Sequence, residues 1–186
     1  MLVGLDEYIK NNQGKDILIV LHQMGNHGPA YYKRYPKEFE KFTPVCKSNQ
    51  LEQCTQEEVS NAYDNAILYT DYFLSKAINF LKKYSKTHEA GLLYVSDHGE
   101  SLGENGIYLH GMPYAIAPKA QTHVASLIWL DNGQMSHEYD RSKIKQNKDK
   151  EYSHDNLFDT LLGLFEVKTE VYKKELDILN EARKEH

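Results

Sequence analysis

The sequence has little positive charge, few cysteines and no long apolar run, and each shortage excludes a class of protein. Lysine and arginine number 22 against 27 aspartates and glutamates, a formal net charge of −5. A phosphate-binding surface would therefore have to be a local patch on an acidic molecule, and no nucleic-acid partner is expected. The longest apolar stretches, Ile17 to Leu21 and Ala125 to Leu130, fall far short of the ~20 residues that span a bilayer, which excludes a transmembrane helix. Asp6 and Glu7 stand where a signal peptide carries base, and no apolar core follows them. Only Cys46 and Cys54 are present, neither in a Cys-x-x-Cys pair nor near a histidine at finger spacing, which speaks against a zinc knuckle. Their spacing fits a disulfide closing a polar loop and two free thiols in a reducing compartment about equally well. What the chain does have is 14 tyrosines, six phenylalanines and one tryptophan in 186 residues. That is enough for one domain, residues 1–186, with a single core.

Ile17 to Leu21 is rich in β-branched residues and runs into His22-Gln23-Met24-Gly25-Asn26-His27-Gly28-Pro29, so it reads as a buried strand delivering histidines to a loop. Thr55 and Glu58 form a capping box ahead of a long helical stripe from Val59 to Leu81. Gly91 to Val95 follows as a second strand. Strand, helix and strand in this order predict a βαβ unit and a parallel sheet, whose carboxyl edge is where open α/β sheets bind ligands. A third strand is predicted over His123 to Leu130, a polar surface connection over 134–151, a helix from His154 to about Phe165 capped by Ser153, and an amphipathic final helix from Tyr172 to His186.

Chemistry concentrates at the predicted strand ends. Asp97 and His98 stand just past a strand, and Gly99 lets the chain turn so that a carboxylate and an imidazole face one point, a donor set that suits a zinc-like ion. The competing reading is an aspartate that caps a turn and a histidine bonded locally. His27 and His110 come from two other glycine-flanked loops at the same sheet edge, and Glu100 and Glu104 are near enough in sequence to join them as acid, base or ammonium-orienting groups. Tyr31-Tyr32-Lys33-Arg34-Tyr35-Pro36 interleaves aromatics with base; in an acidic chain a surface turn fits it better than a base-stacking platform.

Taken together, these segments resemble the catalytic domain of phosphoethanolamine transferases of the alkaline phosphatase and sulfatase superfamily, including the mobile colistin-resistance enzymes. The resemblance rests on Leu21 to Pro29, Tyr31 to Pro36, Tyr63-Asp64-Asn65, the long stretch Ser96-Asp97-His98-Gly99-Glu100-Ser101-Leu102-Gly103-Glu104-Asn105-Gly106-Ile107-Tyr108-Leu109-His110-Gly111, then Pro113-Tyr114-Ala115 and Tyr152 to Phe158. It implies a three-layer α/β/α sandwich with a mostly parallel sheet. It also implies zinc-dependent transfer of phosphoethanolamine from a phosphatidylethanolamine donor to lipid A or a related envelope acceptor, at the periplasmic face of the bacterial inner membrane. Asp97 and His98 fall on zinc ligands of the family; His27 and His110 fall on histidines that contact the substrate phosphate or an additional zinc, and Glu100 lines the same pocket. Glu100 and His110 are the expected catalytic groups, and Cys46 and Cys54 match a family disulfide.

The same resemblance implies a membrane region, a glutamate ligand and a nucleophilic threonine upstream of the matched part. None of Thr43, Thr55, Thr70, Thr87, Thr122, Thr160 or Thr169 has the context of that nucleophile. The expectation is therefore the carboxyl-terminal part of such an enzyme, with its sheet incomplete on the N-terminal side, membrane association carried by the missing region, and little activity alone. Two other readings stay open: a metal-dependent phosphodiester or sulfate ester hydrolase using activated water, and a non-catalytic remnant that binds lipid head groups.

Overall fold

A computed structural model describes residues 1–184, which divide into two compact units, one made of 1–19, 80–92 and the chain from Trp129 onward, the other of 20–79 and 93–128. In the second unit the long helix α2, Gln56–Leu81, starts at its predicted capping box. The Glu58 amide donates to Thr55 Oγ1 (3.2 Å), and the Thr55 amide donates to Glu58 Oε2 (2.8 Å). Val59 and Ala62 of α2 are buried with Tyr31, Cys46 and Leu51. Cys46 and Cys54 are joined in a disulfide, and the loop they close packs one side of this core.

Strand β1 is Gly91–Val95, β2 Ser101–Leu102, β3 Tyr108–Leu109 and β4 Ser126–Leu130. The β2–β3 hairpin is antiparallel, with Ser101 opposite Leu109. The β1–β4 pair is antiparallel as well: at one end the Asp131 amide donates to Ala90 O, and at the other the Ser96 amide donates to Ala125 O. The parallel ladder expected of a βαβ unit is not formed among the described residues. Ile17 to Leu21 forms no strand there, and alternate side chains are exposed: Leu18 and Val20 are 55% and 79% exposed. A β-branched composition favours an extended backbone, but a strand also needs a neighbour for its amides and carbonyls.

The first unit holds α1 (Leu5–Asn11) and the C-terminal segments. The 134–151 region is not a bare connection. It carries α4 (Met135–Glu138) and α5 (Arg141–Gln146), the latter capped by Asp140, whose carboxylate accepts the Ser142 and Lys143 amides; between the hairpin and β4 the second unit carries a short helix α3, Lys119–Thr122. Helix α6, Asp155–Leu164, forms as predicted, with Ser153 Oγ accepting the Asp155 amide. The tail differs from its prediction. Instead of a helix over 172–184 there are turns and one short 3-10 stretch, Asn180–Ala182; residues 185–186 of the predicted helix lie outside the described residues. The reason is competition for amides. Asp159 takes the Lys173 amide, Thr160 takes that of Ile178 and Asp177 takes that of Leu179, so side chains hold donors that a helix would give to carbonyls four residues back.

Candidate active site

Three loops of the second unit carry the site. His98 follows β1, and Gly99 is required there by a close approach: a Cβ at this position would lie 1.9 Å from the Ala120 carbonyl oxygen of α3. The Gly99 amide donates to Gln121 O (2.9 Å), which fastens the turn to the end of α3. His110 follows β3 between two left-handed residues, Leu109 at φ 64° and Gly111 at φ 97°. A leucine in that region is an outlier that the surrounding structure must hold in place. His27 sits in the loop after residues 17–21, and Arg34 Nε donates to its carbonyl oxygen (2.6 Å).

The three rings meet. His98 and His110 stack with centroids 3.7 Å apart, and His27 stands edge-on to both, at 5.5 and 4.9 Å. One ligand atom of each lies within 4.8 Å of the others. Their hydrogen bonds fix which atom that can be. Nδ1 of His27 faces the Gly28 carbonyl (2.8 Å), Nδ1 of His98 faces the Gly99 carbonyl (3.0 Å), and Nδ1 of His110 faces the Glu100 carboxylate (3.2 Å). A carbonyl oxygen only accepts, and a carboxylate does the same, so in each ring the proton belongs on Nδ1 and the lone pair on Nε2. Three imidazoles with Nδ1 engaged in this way are the donor set of a divalent-metal site, with the outer nitrogens held as metal-bound histidines require.

Glu100 is the buried centre of this arrangement. Its Oε1 accepts both the Gly28 amide (3.1 Å) and His110 Nδ1, and its Oε2 accepts the Tyr31 hydroxyl (2.7 Å). Burial first, and the hydrogen bond to Glu100 second, push the Tyr31 phenol far above the ordinary tyrosine range, so it stays a donor. Asp97 lies at the rim. Its side chain is 80% exposed, its Oδ1 accepts the His98 amide, and the same oxygen is 3.9 Å from His98 Nε2. Glu104 stays out of the cluster and accepts the Leu102 amide (2.8 Å) at the hairpin turn. The Tyr31 to Pro36 segment is no stacking platform, and the surface turn expected there is met only in part, because Tyr31 and Tyr35 are both buried.

Sequence reasoning found all four ring and carboxylate residues of the cluster but missed Tyr31 and the Gly28 amide as partners of Glu100. Four residues separate His27 from Tyr31, yet 69 separate Tyr31 from Glu100, and no local spacing encodes that contact.

Comparisons with known proteins agree on the relationship. The Sulfatase family profile matches residues 1–167. Phosphoethanolamine transferase EptA of Escherichia coli strain K12 is 52% identical over 183 residues, covering 97% of this chain and 33% of that protein. The soluble domain of lipooligosaccharide phosphoethanolamine transferase A from Neisseria meningitidis superposes with a TM-score of 0.94 at 44% identity, over 99% of this chain and 55% of that one. The C-terminal periplasmic domain of phosphoethanolamine transferase EptC from Campylobacter jejuni gives 0.87 at 52%, over 96% and 56%. The chain thus spans about a third of the length of the curated relative and about half of each solved domain, and its fold is the α/β fold of those domains.

Proposed function

The chain belongs to the sulfatase family, and on that premise we propose that it supplies the histidine-rich part of a zinc-dependent phosphoethanolamine transferase site. The whole protein would move phosphoethanolamine from phosphatidylethanolamine to lipid A or a related acceptor, at the periplasmic face of the bacterial inner membrane. The observation that carries this reading is the convergence of three imidazoles whose Nδ1 atoms are all engaged in hydrogen bonds.

The donor set fits zinc. Imidazole nitrogen with one carboxylate oxygen in reach is the nitrogen and oxygen combination that zinc takes. Asp97 and His98 are adjacent candidates for one ion, with donor atoms 3.9 Å apart before any ligand draws them together. His27 and His110 are candidates for a further ion or for the oxygens of the transferred phosphate. When bound, zinc would act as a Lewis acid on the phosphoryl group and make an attacking hydroxyl more acidic. Phosphoryl transfer otherwise asks the protein for positioning and charge compensation. His27 and His110 are placed to donate hydrogen bonds to the equatorial oxygens when protonated, and His110 to return a proton to the leaving diacylglycerol oxygen. Glu100 keeps the His110 ring in its orientation through both steps. No residue of this chain is assigned the nucleophile's role; the hydroxyls of Thr55, Thr122 and Thr160 are spent on local hydrogen bonds to Glu58, Pro118 and Asn156.

The test is metal analysis of the purified chain together with turnover of a fluorescent phosphatidylethanolamine analogue. The expected result is bound zinc that is lost in His98→Ala, with no product from the chain alone. Zinc-dependent release of phosphoethanolamine by the chain alone would favour a hydrolase using water at the three imidazoles, and failure to bind any divalent ion would overturn the metal reading.

A further inference from the structure

Every loop of the histidine cluster is tied to one carboxylate, and the group that orients that carboxylate lies outside the residues given a role above. Glu100 is 7% exposed and Tyr31 1% exposed. Oε1 carries two donors, the Gly28 amide beside His27 and Nδ1 of His110, while Oε2 carries the Tyr31 hydroxyl. Glu100 itself stands two residues after His98. A buried carboxylate with one oxygen left without a donor would be free to rotate toward another one, and that rotation would release His110 Nδ1. The Tyr31 hydroxyl opposes the rotation by holding Oε2. The packing around it is tight, because a Cβ on Gly28 would come within 2.7 Å of the Tyr31 hydroxyl oxygen.

We propose that Tyr31 is a positioning residue of the site: by donating to Glu100 Oε2 it holds Oε1 on Nδ1 of His110 and on the Gly28 amide, and so keeps the His110 lone pair on Nε2. It acts through Glu100. The inference deepens the metal-site reading and rests on it only for its consequence, since the tautomer itself is a property of the metal-free chain.

The experiment is nitrogen-15 NMR of the histidine rings in the 186-residue chain without metal, at a pH where the rings are neutral, followed by zinc titration. In the unsubstituted chain His110 is expected almost wholly as the Nδ1–H tautomer. Tyr31→Phe removes one oxygen atom and is expected to turn His110 into a mixture of tautomers, leave His98 as it was, and weaken zinc binding by about 10-fold. Glu100→Gln is expected to do the same, and the double variant to lose no more than Glu100→Gln alone, because both act on one bond path. An unchanged His110 tautomer in Tyr31→Phe overturns the proposal, as does an additive loss in the double variant. Should Tyr31→Phe fold poorly, Gly28→Ala in a Leu109→Ala background, compared with Leu109→Ala alone, gives the readout, because a Cβ at Gly28 would meet both Leu109 Cδ2 (2.5 Å) and the hydroxyl (2.7 Å). A chain that binds no zinc at all would count against the proposed function, while the tautomer measurement would still decide the role of Tyr31.

Discussion

Gly99 illustrates how much of the site depends on one missing atom. The His98 turn lies so close to α3 that a methyl group would meet the Ala120 carbonyl at 1.9 Å, and backbone cannot be displaced as a flexible side chain can. Gly99→Ala is therefore expected to destabilise the chain by about 3 kcal/mol or more, read from the urea midpoint, and to weaken metal binding with it. Tyrosine supplies a second residue-scale prediction. Burial pushes Tyr139 up to about 12, and burial aided by the Asp177 hydrogen bond does the same for Tyr172. A folded-state value above the ordinary tyrosine value of 10.0 means that these phenols stabilise the fold fully below that pH, and that the contribution is lost as pH rises through the folded-state values. Ultraviolet titration should accordingly show a late tyrosinate step accompanied by unfolding, and Tyr172→Phe should shrink that late step. At this scale the sequence was readable where glycine marks a loop and histidine stands beside it, as at His98, His110 and His27. It was silent on Tyr31, whose partner is distant in the chain.

Among the elements, α2 and β1 were legible because their signals are local. Thr55 and Glu58 satisfy each other's amides, and an apolar stripe follows. Thr55→Ala should cost about 1 kcal/mol of stability in chemical denaturation, and Glu58→Ala a similar amount, with the double variant less than additive because the two bonds form one cap. The tail was not legible, since its polar and apolar residues alternate as a helix would while its amides go to side chains of α6. Asp159→Ala frees the Lys173 amide. Hydrogen exchange at Lys173 should then rise well above that of Ile178, which Thr160 still holds. Ile17 to Leu21 failed for another reason: its composition favours a strand, but pairing is a property of neighbours and no composition supplies them.

For the molecule as a whole, the family was legible from the Ser96 to Gly111 stretch, because a match over so many consecutive residues does not arise by chance. Sheet order was not, since it depends on contacts that no segment records by itself. The disulfide joins the two levels. Spacing left Cys46 and Cys54 open between bonded and free, the family resemblance favoured the bond, and the folded chain has it, with Cα atoms 5.7 Å apart across eight residues of sequence. A loop of this length lowers the entropy of the unfolded chain enough to contribute roughly 2–3 kcal/mol. Cys46 is also part of the buried cluster with Tyr31 and Val59, so cutting the bond bears on the core from which Tyr31 reaches Glu100. Reduction, or Cys54→Ser, should lower the denaturation midpoint by that amount and weaken zinc uptake in the same samples. A control at equal destabilisation, Thr55→Ala in added urea, should leave zinc affinity nearly unchanged. If both weaken it equally, the disulfide contributes only global stability; if reduction weakens it more, the loop it closes is part of what keeps Tyr31 and the histidines in register.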